Sequence, residues 1–288
     1  MVRRVIVKIK PPFRWPKNYI VDALKSAKLP STKYVESSGP IDRDDNIKVL
    51  VSNVVTIKDL GGLSRLRYII VPTSSTEGID LDEVQQRGIN IIQDKRITAE
   101  GVVDYTYNQL KAFSDGNIKG FFKGKTIGLL GFGNVGRGIY ERLRLNGCSW
   151  YIIKERGSYH EDGQKAIKYF NLHSIDKVIK KSDVLINALP LNKHTKGVML
   201  EKTLMIKKGA LIINVSRSGI LNEKEMLQGV LDGRFSGAIF DVYSKDINPN
   251  DYSHPKIVLT SHIAGIYGNS LNRMTCFIKK NIELLLAR

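Results

Sequence analysis

Late in the chain, three side chains able to bind an anion and move a proton follow short runs rich in Val and Ile. Arg217 comes after LIINVS, Asp246 after SGAIFDVYSK, and His262 after IVLTS. A guanidinium offers a planar fork to a carboxylate, an imidazole titrates near neutral pH, and a neighbouring carboxylate keeps that ring charged and oriented. Taken singly, each has a plainer reading: a solvated loop Arg, a turn Asp in SKDINP, a loop His with its partners satisfied. Upstream, KTIGLLGFGNVGRGIYERLRLNG sets an apolar run before Gly131, Gly133 and Gly136, then a helical segment ending near Asn146 and Gly147. A strand, G-x-G-x-x-G and a helix in that order suit a dinucleotide pyrophosphate. Gly131 makes the tight turn, Gly133 lets backbone approach the phosphates, Gly136 allows helix to pack on strand, and the helix N-terminus supplies amides. Carboxylate fork, proton donor and dinucleotide cradle together are what a nicotinamide dehydrogenase acting on a 2-hydroxy acid requires.

At the end of the next strand, where an acidic residue commonly holds the adenosine ribose, the chain has Lys154, followed by Glu155, Arg156, Gly157 and Ser158. Were the strand to continue, period-two geometry would place Lys154 and Arg156 on one face and Glu155 on the other. Two cations and a hydroxyl suit a 2′-phosphate, so NADP is favoured over NAD. The alternative is a solvated basic loop from which Glu155 swings in to the ribose.

These residues stand in stretches that resemble one known family. KGKTIGLLGFGNVGR, SDVLINALPLNKHTKG, NVSRSGILNEKEML, GAIFDVY and LTSHIAG, in that order from about Phe122 to Gly265, look like the D-isomer-specific 2-hydroxyacid dehydrogenases, the family of phosphoglycerate dehydrogenases and glyoxylate/hydroxypyruvate reductases. TAEGVVDY at Thr98 to Tyr105 resembles the family's segment leading into the cofactor domain, and the first third matches more loosely.

The resemblance implies that Arg217 binds the substrate carboxylate and carbonyl, that His262 is the general acid/base, and that Asp246 pairs with the imidazole. Most members carry Glu where this chain has Asp246, one methylene shorter. It further implies cofactor contacts at Gly131, Gly133, Asn134, Val135, Gly136, Lys154, Arg156, Leu189, Pro190, Thr195, Val215, Ser216 and Asp241. A substrate-loop arginine of the family falls on Val71, leaving the carboxylate to amides of the loop Thr73 to Glu77: Ser74 and, chiefly, Ser75 and Thr76. That loss favours a small 2-oxo acid such as glyoxylate or hydroxypyruvate over phosphoglycerate. A homodimer formed through the cofactor domain is expected on the same ground. A nucleotide-sensing regulatory protein on the same fold is the alternative.

The elements that must position these residues follow from hydrophobic patterning. Short Val/Ile-rich runs alternate with helical stretches almost end to end, which reads as α/β with parallel sheets. The first third offers strands at Arg4 to Ile9, Lys33 to Glu36, Lys48 to Val51, Arg67 to Val71 and Ile89 to Ile92. A second series runs Thr126 to Leu130, Ser149 to Ile153, Val184 to Ala188, Ala210 to Val215, Ser236 to Asp241 and Lys256 to Thr260. Thr98 to Phe113 reads as a helix joining the domains. Leu271, Met274, Ile278, Ile282 and Leu285 mark an amphipathic helix from Ser270 to Ala287. With the resemblance, this gives two doubly wound parallel-sheet domains: a Rossmann-type cofactor domain over 97–265 and a smaller flavodoxin-like substrate domain from 1–96 with 266–288.

Composition bounds the rest. The chain has 288 residues, 42% hydrophobic and 25% charged, a soluble composition of roughly two domains. Lys and Arg outnumber Asp and Glu 45 to 28, a net charge of +17 that calls for an anionic partner. The cations are scattered along the sequence without a nucleic-acid motif, so a small anionic metabolite is expected rather than nucleic acid. No run reaches the roughly 18 apolar residues of a membrane span, and MVRRVIVKIKPP alternates like a strand, so neither a membrane nor a signal peptide is expected. Cys148 and Cys276 make no disulfide framework, which places the expectation in the cytoplasm, with both thiols buried and inert. His160, His173, His194, His254 and His262 show no metal-ligand spacing, and Trp15 and Trp150 read as packing residues.

Overall fold

The structure, a computed structural model, describes residues 5–9, 19–26, 28–29, 31–35, 41–154 and 167–287. Arg4, Glu36, Trp15, Arg156 and His160, all singled out above, lie outside the described residues. The chain divides into two compact units, Met1–Gly101 with Gly265–Arg288, and Val102–Ala264.

The first unit contains strands β1 (Val5–Val7), β2 (Thr32–Tyr34), β3 (Val49–Val51), β4 (Val54–Val55), β5 (Tyr68–Val71), β6 (Gly78–Ile79) and β7 (Asn90–Gln93), with helices α1 (Tyr19–Ser26), α2 (Ile57–Gly61) and α3 (Leu81–Gln86). Five strands form one parallel sheet in the order β2-β1-β3-β5-β7, the doubly wound order of flavodoxin-like folds, while β4 and β6 pair separately. Because helices cover a parallel sheet, its central strands are apolar throughout. Ile6, Leu50, Ile69 and Val71 pack with Leu60, Leu63 and Val84. Inside this core Lys8 Nζ meets Asp59 Oδ1 at 2.6 Å, and Asp59 also closes the N-terminal cap of α2 with Thr56. Burial pushes the Asp59 carboxyl up, but the bonds from Lys8 and Thr56 outweigh it and hold the group below its ordinary range.

Helix α4 (Arg96–Phe113) runs unbroken through the first crossing between units. The crossings fall at 101/102 and 264/265, against 96/97 and 265/266 from the sequence, because no loop marks the first one.

The second unit adds α5 (Ile118–Phe122), β8 (Thr126–Leu130), α6 (Asn134–Leu143), β9 (Ser149–Ile153), β10 (Ile167–Phe170), α7 (Ile175–Ile179), β11 (Val184–Asn187), β12 (Leu211–Asn214), α8 (Glu223–Leu231), β13 (Gly237–Phe240) and β14 (Ile257–Leu259). All seven strands are parallel, in the order β10-β9-β8-β11-β12-β13-β14, a Rossmann arrangement extended by one strand. Pairing puts Leu130, Asn187, Asn214, Phe240 and Leu259 level with one another across five adjacent strands. The loops that follow therefore leave one edge at one height, as ligand binding at the carboxyl end of such a sheet requires.

Helix α9 (Ser270–Leu286) returns to the first unit and packs against α1 and β3, burying Ser270, Met274, Ile278 and Ile282 at every fourth position. Cys276 falls between those positions and is exposed, contrary to the expectation of a buried thiol. Cys148 is buried, and burial pushes its thiol up to about 11, which keeps it protonated and inert. Among the described residues no helix is long and apolar enough to cross a membrane.

Candidate active site

The glycine loop shows which glycines serve the chain and which leave room. Gly131 has φ +99°, and a Cβ there would lie 2.7 Å from the Ala188 carbonyl oxygen. A Cβ on Gly136 would lie 2.1 Å from the Gly131 carbonyl oxygen. Any side chain at either position would push the loop off the sheet. Gly133 differs: a Cβ would meet nothing within 4 Å, and its backbone is extended. Its missing side chain keeps space open before the first turn of α6, where the N–H groups of Asn134 and Val135 lack helix acceptors. An anion is the natural occupant of such a place.

Two buried asparagines, which the sequence reading passed over, align the neighbouring strand ends. Asn187 Nδ2 donates to Asn214 Oδ1 at 3.0 Å, and Asn214 Nδ2 donates to the Val242 carbonyl at 2.9 Å. Asn187 Oδ1 accepts from Leu189 N–H at 3.2 Å, and Asn214 Oδ1 accepts from Ser216 N–H as well, at 3.3 Å. An Asn closing an otherwise apolar run, twice on adjacent strands, was the available signal. Ser216 is buried with its hydroxyl bonded to the Leu189 carbonyl, and Val215 and Leu189 are buried as well. The Thr195 hydroxyl donates to the Pro190 carbonyl and accepts from Asn192 N–H, so this side chain shapes the turn after Pro190. Arg217 follows directly, its Nη1 donating back to the Ser216 carbonyl at 3.0 Å.

Asp241 holds the backbone at His262. Its φ is +59°, a left-handed conformation uncommon for any residue but glycine. The surroundings enforce it. His262 N–H donates to the Asp241 carbonyl at 2.9 Å, while the Asp241 carboxylate accepts from Thr260 Oγ1 at 2.6 Å, Ile263 N–H at 2.9 Å and Ala264 N–H at 3.0 Å. Tyr105 Oη lies 2.6 Å from Thr260 Oγ1, which ties α4 to the same cluster. Asp241, 2% exposed, thus fixes the backbone on both sides of His262.

Asp246 has partners of its own. It is 59% exposed, makes an ion pair with Lys224 and accepts from the Ser244 hydroxyl. Those bonds hold its carboxyl well below the ordinary range, at about 2. The lysine stands on α8. Beside that lysine stands Glu223, 6% exposed, whose Oε1 accepts from Gly219 N–H at 3.2 Å and so braces the turn after Arg217. Burial chiefly, with Asp246 adding repulsion, pushes the Glu223 carboxyl above its ordinary range against the pull of that bond. Asn222 caps α8 by accepting from Glu225 N–H.

Lys154 follows β9, its Nζ 4.6 Å from the centre of the Tyr169 ring, which in turn stands edge to face with Phe132 of the glycine loop at 5.7 Å. Arg156 lies outside the described residues. In the first unit, the loop after β5 is turned by Thr73 Oγ1 donating to the Ser75 carbonyl and Glu77 N–H donating to Ser75 Oγ, at 3.2 and 3.1 Å. The N–H groups of Ser74, Ser75 and Thr76 meet no acceptor among the described residues. Val71 is buried in β5.

Residues 103–264 match the family profile described as "D-isomer specific 2-hydroxyacid dehydrogenase, NAD binding domain". Glyoxylate reductase of Thermococcus kodakarensis is 23% identical over 265 residues, covering 83% of this chain and 79% of its own. Among solved structures, D-lactate dehydrogenase of Aquifex aeolicus, complexed with NAD and lactic acid, superposes with a TM-score of 0.72 at 21% identity, covering 99% of this chain and 96% of that one. The acyclic imino acid reductase Bsp5, in complex with NADPH and D-Arg, gives 0.71 at 21%, covering 98% and 97%.

Proposed function

The chain belongs to the D-isomer specific 2-hydroxyacid dehydrogenase family, NAD(P)-linked oxidoreductases of 2-hydroxy and 2-oxo acids, and from that premise we propose that it reduces a small 2-oxo acid and prefers NADP to NAD. One observation carries the reading: the open head of α6, Arg217 and His262 all leave the same level edge of one sheet. Arg217 follows β12 and His262 follows β14, two strand spacings or about 10 Å apart at the sheet. A small acid fits within that span.

A dinucleotide suits the residues present, since Gly133 leaves its pyrophosphate unobstructed and the first amides of α6 face it. Bound there, the cofactor supplies the hydride that reduces the C2 carbonyl. The chain's own part is orientation and the proton. Arg217 grips the substrate carboxylate through its fork, and His262, as imidazolium, gives its proton to the oxygen at C2 as that oxygen becomes an alcohol. The left-handed turn at His262, braced through Asp241, fixes where that proton is offered. The preference for NADP rests on Lys154, a cation where a ribose-binding carboxylate would repel a 2′-phosphate. A homodimer, on the resemblance, and a cytoplasmic location, on the lack of a disulfide framework in the sequence, complete the proposal.

The exposed ion pair of Asp246 with Lys224 favours one rival, a nucleotide-binding regulator without turnover. Oxidation of NADPH and NADH at 340 nm with glyoxylate, hydroxypyruvate and phosphohydroxypyruvate, alongside Arg217→Ala and His262→Ala, decides between them. Turnover with at least one acid, reduced roughly 10²- to 10⁴-fold by His262→Ala, is the expected outcome. Nucleotide binding with no turnover of any of the three would overturn it.

A further inference from the structure

The proposed reaction uses the carboxyl edge of the seven-stranded sheet and leaves the charge of +17 unexplained. The fold gathers at the opposite edge many of the cations that are scattered in sequence. Residues just before each strand lie on that amino edge. Lys123 and Lys125 precede β8, Lys180 and Lys181 precede β11, Lys207 and Lys208 precede β12, Arg234 precedes β13, and Lys256 precedes β14. These five strands are consecutive neighbours, so the cations form a row crossing four strand spacings, about 19 Å.

Three of them have work within the fold. Lys125 Nζ sits 3.5 Å from the centre of the Phe121 ring, Lys207 pairs with Asp183 at 2.6 Å, and Arg234 donates to the Leu204 carbonyl. Lys123, Lys180, Lys181, Lys208 and Lys256 are exposed and make no ion pair with any described residue. Attraction to the carbonyl end of α7 accounts for Lys180 and Lys181, but Lys208 and Lys256 follow no α-helix. Among the described residues, the carboxylates at this edge include Asp183 and Glu141, both already paired, Asp115 and Asp232.

The same edge carries the most exposed large apolar side chains of the second unit: Leu145, 78% exposed, between α6 and β9, and Leu204, 72% exposed, whose carbonyl Arg234 grips. Leu231 at the end of α8 adds a third. A phosphate backbone would use the cations and leave these leucines in water. An anionic bilayer uses both, cations at the headgroups and leucines at the acyl boundary. We propose that the amino edge of this sheet is a docking surface for anionic membrane lipid, holding the protein on a bilayer with its carboxyl edge turned away.

The experiment is sedimentation of the full chain with phosphatidylcholine vesicles, with and without phosphatidylglycerol, at low and physiological salt. Binding is expected only to the anionic vesicles and is weaker at physiological salt. Each cation removed should lower partitioning about fivefold, so Lys180→Glu/Lys181→Glu/Lys208→Glu should lower it at least a hundredfold. Its circular dichroism spectrum and nucleotide binding should be unchanged. Leu145→Ser/Leu204→Ser should weaken vesicle binding at both salts and leave capture on immobilised poly(U) unaltered. Equal binding to neutral vesicles, or indifference to the lysine reversals, overturns the proposal. So does poly(U) binding tighter than vesicle binding combined with indifference to the leucine substitutions, which would assign the row to nucleic acid.

Discussion

The two edges of the seven-stranded sheet are built on opposite principles. At the carboxyl edge, buried polar groups close on one another: Asn187 with Asn214, Asn214 with Val242, Asp241 with Thr260, Ile263 and Ala264. At the amino edge, cations and leucines reach outward, and five of the lysines have no ion-pair partner among the described residues. A site that must place a proton accurately needs its scaffold satisfied internally, because every unmet buried bond is a freedom the loop could use. A surface that meets a fluid or variable partner needs charge without fixed geometry. Substituting at each edge should therefore do different things.

The largest effect is expected at the carboxyl edge. Asp241→Asn turns one of the oxygens facing Ile263 and Ala264 into a donor, leaving like against like. It should lower stability by about 1–3 kcal/mol and, by releasing the turn at His262, lower kcat by on the order of 10²-fold. Denaturant titration and steady-state kinetics check the two halves separately, and unchanged kcat would mean that His262 keeps its place without the clamp. Next in size, Lys154→Glu should shift the ratio of kcat/KM for NADPH over NADH by roughly 10-fold or more toward NADH. A ratio that stays put would assign cofactor choice elsewhere.

Glu223→Gln keeps the acceptor for Gly219 N–H and removes the titration. Burial raises the native carboxyl, so the folded protein holds this proton to higher pH than the unfolded chain does. Stability therefore falls as pH rises from the unfolded value, about 4.3, through the raised native one. The variant should match the wild type near pH 4 and exceed it in Tm by a few degrees at neutral pH, read from melting curves across that range. The smallest effect belongs to the amino edge: Lys208→Ala should change stability by less than about 0.5 kcal/mol and leave kcat/KM alone. A larger loss of stability would mean that the row serves the fold and would erase the contrast.

What the sequence revealed followed from how local the physics was. β8 and β9 begin and end where the sequence reading put them, because an apolar run between turn residues defines a buried parallel strand without outside help. β10 escaped notice: IKYF at the sheet margin has one buried residue and no clear period. The two-residue strands β4 and β6 are too short to show a period at all. Within the site, the glycines were legible because their chemistry is set within a few residues. The carboxylate that braces His262 was not. Asp241 follows β13, and the Ile263 and Ala264 amides that it binds come from a loop beyond β14.

The first unit is assembled from two stretches of chain separated by the whole of the second. Its closing piece, α9, brings Met274, Ile278 and Ile282 to the face it packs against α1 and β3. On the ribosome, residues 1–101 therefore emerge with part of their core uncovered and wait while Val102–Ala264, continuous in sequence, completes its sheet. Maturation of the first unit is thus timed by translation of the second, and a nascent chain arrested before α9 would present one finished body and one that still exposes apolar surface to chaperones.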